Sequence, residues 1–528
     1  MSRGFSKLTS STRGNFQIAP MNPYSPCSSE TLEPSELITH YNERVTCASS
    51  RSLLSLVVFI VTATFLTVFV SLKVTTDEFT SYDPFPSKNL ILTPLIDAGN
   101  ISEAKALSNV TLFPGVISYS GFLTVDNDDC KSHLFFWFFP AATGNKSAPL
   151  LLWHGGGPGT SALFALFQGT GPVTLNKSND SWTHNNNSWT QSRSVLYLDS
   201  PVGAGFSYTE KGGLCYAFSR DDVADGVINA LRQFYQLFPE YEPNDLYISS
   251  SSYGGKFLPV IATRIDNDNQ LDKISGDSSL RTINLKGIIS ISGFSDPLHQ
   301  IDYGEFYFNM GFIDEMQLKY FKDQESLAKA FIKSKNPVEA YKIIDPLILG
   351  YPDGGSSHLE NITGIKHLNN FVHDLVDSNI DRDERRHDRF LNLKWVQESI
   401  HVDTAVIGRD FQTTSSVVYE NLVKDLYESV GNLVENLLDS GYKFLFTSGQ
   451  FDMVVPHTTI TKFLDELRWN GGKEFRTKGY SWWMYKGKVV GYEKIVGNLT
   501  YLMFRNSGHH PFVDQPEWTL DLILRFTS

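Results

Sequence analysis

The stretch Ile248-Ser249-Ser250-Ser251-Ser252-Tyr253-Gly254-Gly255-Lys256 decides how the rest of the chain is interpreted. An apolar run at 245–248 predicts a buried strand before it, and the run 257–262 can open a helix after it. A serine on the tight turn between strand and helix is typical of a nucleophile elbow. The turn is strained, so the residues two places before and after Ser252 must be small, and Ser250 and Gly254 meet this condition. The usual motif has glycine at the first of these places, so the segment alone also fits a Ser/Gly-rich turn.

Composition limits the classes of protein to consider. The chain has 528 residues and is 41% hydrophobic, which is enough for one elaborated α/β enzyme or for more than one domain. Its net charge of -13 argues against nucleic acid as a partner, because phosphate binding needs clustered Lys and Arg. Four cysteines are too few for a disulfide scaffold, and at most one bridge, Cys130–Cys215, can form beyond the membrane segment predicted next.

Residues 53–73 predict a transmembrane helix that serves as a signal anchor. No charge interrupts the run from Leu53 to Leu72, which is long enough to cross a bilayer and argues against a buried core helix. The polar stretch before it is too long for the start of a cleaved signal peptide. Arg44 and Arg51 precede the run, whereas acidic residues follow Lys73, so the positive-inside rule puts the N-terminus in the cytoplasm.

Glycosylation sequons support the same orientation. None precedes the predicted span, and N-x-S/T occurs after it at Asn100, Asn109, Asn145, Asn176, Asn179, Asn186, Asn361 and Asn498. We therefore expect a single-pass type II glycoprotein, with its C-terminal part extracellular or in the lumen of the secretory or endolysosomal pathway. Residues 1–52, rich in Ser, Thr, Pro and Asn, predict a disordered cytoplasmic tail, and residues 74–95 predict a stalk.

Beyond the stalk the chain alternates strands and helices. Strands are predicted at 115–125, 133–139, 148–153, 194–199, 283–291, 442–448 and 498–504, with a helix at 221–238 and another at 518–526. This alternation indicates a parallel sheet covered on both faces. The pattern divides the domain into a first part at 96–300 and a last part at 440–528. Between them, 301–439 predicts a mostly helical cap, with helices at 314–333 and 417–438 and a solvated charged loop at 381–389.

A glycine-rich turn, His154-Gly155-Gly156-Gly157-Pro158-Gly159, follows the strand at 148–153. Such a turn lets backbone N–H groups approach a ligand closely. A phosphate-binding loop would end in Gly-Lys-Ser/Thr, and none follows, so that interpretation is rejected. An oxyanion hole beside a nucleophile fits, and a plain flexible turn is the alternative.

The order of three residues along the chain predicts a catalytic triad. Ser252 lies on the elbow, Asp452 follows a late strand, and His509 follows the last strand. The order Ser, Asp, His is that of α/β-hydrolases, in which histidine takes the serine proton and aspartate holds the imidazole tautomer. His510 is the rival base, and Asp514 and Asp199 are the rival acids.

Four ordered motifs resemble those of the serine carboxypeptidases, closest to the vitellogenic carboxypeptidase-like branch. The similarity runs from about Gly115 to the C-terminus, roughly four fifths of the chain. Residues 153–161 are similar to W-L-N-G-G-P-G-C-S-S, 199–208 to D-Q-P-V-G-x-G-F-S-Y, 250–256 to G-E-S-Y-A-G-K and 507–516 to G-A-G-H-M-V-P-x-D-Q-P. The spacing from His509 to Asp514 matches the family and favours His509 over His510.

The resemblance implies an α/β-hydrolase fold and a carboxypeptidase mechanism. Ser252 is then the nucleophile, His509 the base and acid, and Asp452 the residue that orients it. The backbone N–H groups of Gly157 and Tyr253 form the implied oxyanion hole. Peptides or proteins are the implied substrates, and no metal or cofactor is expected.

The departures from the family concern the grip on the substrate's C-terminal carboxylate. Family members use an Asn, two acidic side chains and a glycine N–H. The glycine is kept as Gly156, but the Asn position is Gly155, and the Glu positions are Gly169 and Ser251. Losing three such side chains removes roughly 1–3 kcal/mol for each charge-assisted bond. The family cysteine after G-G-P-G is Thr160, so that disulfide is also absent.

Three functions follow from these observations. The first is a membrane-anchored serine carboxypeptidase with a degenerate carboxylate clamp, in which Gly156 and Ser251 still contact the substrate. The second is a serine esterase or acyltransferase, favoured by the lost clamp and by the match of 154–157 to the H-G-G-G of esterases. The third is a non-catalytic luminal binding protein. The first two predict covalent labelling of Ser252 by a fluorophosphonate, and the first alone predicts release of C-terminal amino acids.

Overall fold

A computed structural model describes residues 89–126, 130–176, 181–275, 282–350, 355–374 and 385–528. The predicted tail, the membrane segment at 53–73, the stalk up to residue 88 and Asn179 lie outside the described residues. Within these ranges, no helix is both long enough and apolar enough to cross a bilayer.

The last part of the predicted stalk belongs to the folded unit. Leu90 donates its N–H to the His401 carbonyl at 3.2 Å, Ile91 pairs with Phe122, and Leu92 is fully buried. The boundary predicted at residue 95 is therefore too late, because the apolar run Leu90-Ile91-Leu92 packs against the sheet instead of facing solvent.

A large sheet forms the centre of the molecule. The strands are β1 (Asn109–Val110), β2 (Ser118–Asp126), β3 (Ser132–Phe139), β4 (Leu150–His154), β5 (Val173–Leu175), β6 (Trp182–His184), β7 (Ser194–Leu198), β8 (Tyr208–Thr209), β9 (Leu246–Ser251), β10 (Leu285–Ile291), β11 (Lys443–Gly449), β12 (Ser481–Tyr485), β13 (Lys488–Val496) and β14 (Leu499–Phe504). Their order is β1-β2-β3-β7-β4-β9-β10-β11-β14-β13-β12, with β8 beside β3 and a separate β5-β6 hairpin.

The middle of the sheet is parallel and its edges are antiparallel. β7, β4, β9, β10, β11 and β14 run parallel to one another, so their carboxyl ends meet at one edge. Ligands bind at this edge in open α/β sheets. The antiparallel strands β2 and β3 form the predicted hairpin, and β12 and β13 close the other side.

Both faces of the sheet are buried, as the continuous apolar strands predict. Along β3 the side chains alternate: Leu134, Phe136 and Phe138 belong to one hydrophobic core, and Phe135 and Trp137 belong to the other. Helices cover each face, and their apolar side chains complete the two cores.

The helices are α1 (Thr93–Asp97), α2 (Ile101–Leu107), α3 (Leu163–Ala165), α4 (Arg220–Leu237), α5 (Gly254–Ser275), α6 (Pro297–Gln300), α7 (Tyr303–Asn309), α8 (Glu315–Lys333), α9 (Pro337–Ile348), α10 (His358–Thr363), α11 (Arg386–Leu391), α12 (Lys394–Ser399), α13 (Thr404–Ile407), α14 (Ser416–Asn421), α15 (Val423–Leu426), α16 (Gly431–Asp439), α17 (His457–Glu466), α18 (Gly472–Thr477), α19 (Pro511–Asp514) and α20 (Pro516–Phe526). A π-helical turn spans Leu166–Thr170. The helix α4 begins with a capping box at Ser219 and Asp222, which satisfies its first N–H groups.

The described residues between β10 and β11 are helical, as predicted, but two details differ. The helix expected over 417–438 is broken into α14, α15 and α16, because turns intervene at Leu422 and at 427–430. The loop expected at 381–389 is helical from Arg386 onward, since α11 buries His387 and Phe390 against the domain.

One disulfide, Cys130–Cys215, joins β3 to the segment before α4 and closes a separation of 85 residues. It is the bridge that the cysteine count allows. Removing such a cross-link from a folded domain typically costs about 2–5 kcal/mol of stability.

Candidate active site

Ser252 lies on the predicted elbow, between the end of β9 and the start of α5. Its φ of 57° is in the left-handed region that side chains other than glycine rarely adopt. Two hydrogen bonds fix this conformation: the Ser252 N–H donates to the Ile291 carbonyl at 3.0 Å, and the Phe294 N–H donates to the Ser252 carbonyl at 2.9 Å. A strained residue held by its surroundings is a marker of function.

The small residues beside the elbow are matched to each other. A Cβ on Gly254 would lie 1.8 Å from Ser250 Oγ and 2.2 Å from Ser250 Cβ. The side chain of Ser250 therefore occupies the space that an alanine at 254 needs. At positions 250 and 254 the resembled motif, G-E-S-Y-A-G-K, has glycine and alanine, whereas this chain has serine and glycine. The departure at Ser250 is thus accommodated by Gly254.

His509 and Asp452 form a buried pair at the same edge of the sheet. His509 Nδ1 lies 2.7 Å from Asp452 Oδ2. The other carboxylate oxygen, Oδ1, accepts the N–H groups of Val454 at 2.8 Å and Val455 at 2.9 Å. Asp452 is 0% exposed, so these bonds hold both the carboxylate and the ring in one orientation. In the described part of the chain the Ser252 hydroxyl makes no hydrogen bond. Hydrogen bonds between catalytic residues are often long in the absence of substrate and shorten when it binds.

The rival residues have other partners. Asp199 accepts hydrogen bonds from Ser161 Oγ at 2.6 Å and from the Ala162 and Phe206 N–H groups. Asp514 accepts from the side chain of Asn370 and from the Gly508 N–H. The His510 ring packs against Phe164 and Phe512, and burial followed by the charge of His509 keeps the pKa of His510 well below its usual value. His510 and Asp514 also line the cavity at Ser252, but among the predicted candidates only His509 and Asp452 form a hydrogen-bonded imidazole–carboxylate pair.

Two backbone N–H groups are available beside the nucleophile. Those of Gly157 and Tyr253 donate to no other group among the described residues. Tyr253 immediately precedes α5, whose N-terminal end favours negative charge. Gly157 has a φ of 103°, a conformation suited to glycine. Both positions fit an oxyanion hole.

His154 belongs to the core rather than to the site. Its Nδ1 lies 2.6 Å from the Gly155 carbonyl, and its ring packs against Phe257. Complete burial lowers the pKa of His154 to about 4, so the ring is neutral at ordinary pH. The likeness of 154–157 to the H-G-G-G of esterases therefore places no charged histidine beside Ser252.

Two cavities meet at Ser252 and Gly157. The larger, about 320 Å³, contains His509 and is lined by polar residues and by apolar ones; the polar residues include Ser251, Gln168, Asn370, His373 and Asp514, and the apolar ones include Phe164, Leu349 and Val513. The smaller, about 60 Å³, lies beneath the cap on the side of Tyr253 and contains aliphatic and tyrosine side chains and Asp345. The nucleophile thus has a cavity on either side, and His509 lines the larger one.

Two of the glycines at the implied clamp positions have no room for a side chain. A Cβ on Gly155 would lie 1.6 Å from the Thr160 carbonyl oxygen, and one on Gly169 would lie 2.2 Å from the Phe512 carbonyl oxygen. Gly169 also has a φ of 144°. Ser251, in contrast, has a side chain that borders the larger cavity.

The motifs did not identify the network that ties the elbow to the cap. The Tyr253 hydroxyl donates to Asp425 Oδ2 at 2.9 Å, and Asp425 Oδ1 accepts from Arg220 at 3.1 Å. Asp345 was also missed. Its place on the buried face of an amphipathic helix, between Ile344 and Leu347, is a signal that could have found it.

Comparison with known proteins agrees with this geometry. The serine carboxypeptidase family model matches residues 111–528. The venom serine carboxypeptidase of Apis mellifera is 36% identical over 442 residues, which cover 83% of this chain and 90% of that protein. The vitellogenic carboxypeptidase of Aedes aegypti is 35% identical, over 83% of this chain and 89% of that protein.

A solved structure supports the fold. The prohormone-processing carboxypeptidase Kex1 of Saccharomyces cerevisiae superposes with a TM-score of 0.65 at 23% identity, over 80% of this chain and 96% of that one. The α/β-hydrolase fold and the resemblance to the vitellogenic branch are thereby confirmed. The chain belongs to the serine carboxypeptidase family and is a hydrolase of that type.

Proposed function

We propose that this chain releases C-terminal residues from peptides through an acyl-enzyme intermediate on Ser252. The observation that carries the proposal is the His509–Asp452 pair, with Nδ1 and Oδ2 2.7 Å apart, whose histidine lines the cavity that also contains Ser252. Ser252 Oγ attacks the carbonyl carbon of the last peptide bond while His509 Nε2 takes its proton. The N–H groups of Gly157 and Tyr253 stabilise the resulting oxyanion.

The two cavities then hold the two sides of the scissile bond. His509 must return its proton to the departing amine, so the leaving amino acid occupies the larger cavity, which contains His509. The acyl part of the peptide occupies the smaller cavity, beside Tyr253. Water enters on the departure of the amino acid and attacks the acyl carbon while His509 takes its proton. His509 then returns a proton to Ser252 Oγ as the ester bond breaks, which frees the shortened peptide.

The leaving residue's carboxylate is held without the two glutamates of the family's clamp. In family members these glutamates share a proton with it, which requires acid pH. Here the Gly156 N–H and neutral groups such as Ser251 and Gln168 face the same cavity, and its one carboxyl group, Asp514, already accepts from Asn370 and from the Gly508 N–H. We therefore expect binding of the C-terminal residue to be weak.

A peptide library tests the proposal. Full-length protein and its Ser252→Ala variant are incubated with matched peptides that end in a free carboxylate or in an amide, and the products are read by mass spectrometry. Loss of single C-terminal residues from the free acids by the wild type alone is the expected result. Intact peptides beside a Ser252 that still takes a fluorophosphonate label would refute it.

The closed clamp favours a second candidate, a serine esterase or acyltransferase on the same residues. No side chain fits at Gly155 or Gly169 without a backbone shift, which weakens selection for a free carboxylate. This candidate predicts Ser252-dependent cleavage of esters and no difference between peptide acids and amides. A non-catalytic luminal protein would show no labelling of Ser252.

The topology is proposed on the sequence. Residues 53–73 anchor the protein as a type II membrane protein, with the tail at 1–52 cytoplasmic, the hydrolase parts at 96–300 and 440–528 luminal or extracellular, and the cap at 301–439. The sequon residues Asn100, Asn109, Asn145, Asn186 and Asn361 are exposed, and Asn176 and Asn498 are half-buried. Retention in the membrane after carbonate extraction, and a mass decrease on removal of N-glycans, are the expected results. Release by carbonate contradicts the anchor.

A further inference from the structure

The smaller cavity at Ser252 contains a carboxyl group that the proposed mechanism does not use. Asp345 lies in α9 and is 5% exposed. Its Oδ2 accepts a hydrogen bond from the Tyr419 hydroxyl at 3.0 Å, whereas its Oδ1 has no donor in hydrogen-bond geometry among the described residues. A buried carboxylate oxygen without a donor is costly, so a native structure that keeps one calls for a reason.

The surroundings of Asp345 supply no positive charge. Among the described residues that line the cavity there is no Lys, Arg or His. Two cations of the cap interface are paired elsewhere: Arg220 contacts Asp425 and Glu428, and Lys256 donates to the Glu428 carbonyl. Among the described residues of this cavity, the group that can carry a charge near neutral pH is therefore a carboxyl.

The ionisation of Asp345 depends on what enters the cavity. Burial raises the pKa of Asp345 to about 7, and the hydroxyls of Tyr419, Tyr341 and Tyr427 lower it only in part. The titratable groups that face it are these tyrosines and Tyr303, all of which burial keeps neutral. A cation beside Oδ1 would bring a counter-charge and a hydrogen-bond donor together.

The dimensions suit one unbranched side chain. A water molecule takes roughly 10–15 Å³ of such space, so a cavity of about 60 Å³ holds a short chain of atoms the size of the lysine side chain. Ile344, Ile348 and Leu426 line it and can contact the methylene groups, and Asp345 can meet the terminal ammonium.

We infer that this cavity takes the lysine side chain of the residue that precedes the C-terminal one, and that Asp345 is the specificity-determining residue. The inference rests on the proposed function. Proton transfer from His509 assigns the leaving amino acid to the larger cavity, and the acyl side of the substrate therefore occupies the smaller one. Tyr419 positions the carboxyl group and leaves Oδ1 free for the substrate.

The test compares peptides that differ only in the penultimate residue. Lysine, norleucine and glutamate are placed before the same C-terminal residue, and kcat/KM is measured for wild type and for Asp345→Asn at pH 7.5. Norleucine has the same stem as lysine without the charge, so it is the matched substrate. We expect the wild type to favour lysine over norleucine by about tenfold or more, as a charge-assisted bond in a dry site predicts. We expect the amide variant to lose this preference.

A labelling experiment covers the case in which no peptide is cleaved or the variant does not fold. The rate at which a fluorophosphonate labels Ser252 of the wild type is measured with butylammonium and with butanol. Protection by butylammonium alone supports the inference even if the protein is an esterase. Equal turnover of the lysine and norleucine peptides, a preference that survives in Asp345→Asn, or equal effects of the two probes would overturn it. Cleavage of no peptide at all is instead a failure of the proposed function.

Discussion

Exchanging the small residues of the elbow should show that Ser250 and Gly254 depend on each other. In Gly254→Ala the new Cβ meets Ser250 Oγ at 1.8 Å and Cβ at 2.2 Å, far inside van der Waals contact. Ser250 is fully buried in β9, which is paired to a strand on either side, so its backbone cannot move aside. Overpacking of this kind costs about 1–3 kcal/mol, and we expect the upper half of that range.

The double variant Ser250→Gly/Gly254→Ala restores the arrangement of the resembled motif. Ser250→Gly alone removes a small buried side chain and gives the backbone more conformational freedom to lose on folding. We expect it to lower stability by about 1–2 kcal/mol. If the two changes were independent, their costs would add. We expect the double variant to lie within about 1 kcal/mol of the wild type, which corresponds to a coupling energy of at least about 2 kcal/mol.

Urea unfolding with the disulfide intact measures these differences. Gly226→Ala is the matched control, because Gly226 also lies in a helix and its added Cβ would meet only ordinary contacts at 3.7 Å and beyond. Gly226→Ala should raise the free energy of unfolding by about 0.5–1 kcal/mol. The reasoning fails if Gly254→Ala is as stable as the control, or if the double variant is no more stable than Gly254→Ala. Labelling of Ser252 should recover together with stability.

Three further substitutions test other parts of the structure. The pKa of His154 is about 4 in the folded state, so the unfolded state takes up a proton first and stability is lost as the pH falls from 6.5 to 4. In His154→Leu this loss is absent, which should be worth about 2–3 kcal/mol at pH 4.5 and nothing at pH 8. Equal effects at both pH values would contradict this. Gly169→Ala should destabilise the protein by about 3 kcal/mol or more, because its Cβ meets the Phe512 carbonyl. The control Gly364→Ala, at a φ of 74° with open space around it, should cost only about 1 kcal/mol. Similar losses in the two variants would mean that the Phe512 carbonyl moves aside. Asp452→Asn should lower kcat by about 10⁴-fold because the imidazole loses its acceptor, and a loss below tenfold would exclude the proposed role.

The parallel centre of the fold could be predicted because burial on both faces leaves a simple record in the sequence. The strands β4, β9 and β11 are short apolar runs bounded by turns, and each predicted run overlaps the observed strand. The residues that follow such strands must gather at one edge. For that reason Asp452 and His509 could be assigned to one site, although 56 residues separate them.

The antiparallel edge formed by β12 and β13 could not be predicted in the same way. β12 and β13 carry exposed apolar residues, with Trp482 70% exposed, beside polar ones, so neither a continuous run nor a clean alternation marks them. The glycines at 155 and 169 show another limit. That they carry no side chain is plain from the sequence, but the carbonyl groups that occupy the space of a Cβ there come from segments that only the fold brings near.

The carbonyl oxygens over Gly155 and Gly169 also bear on redesign of the site. The backbone at Thr160 and Phe512 takes the space of a Cβ at these glycines, so a substitution at either one adds a side chain only if a second segment moves. A stronger grip on a substrate carboxylate must therefore be built at positions whose side chains already border the larger cavity, such as Ser251 and Gln168.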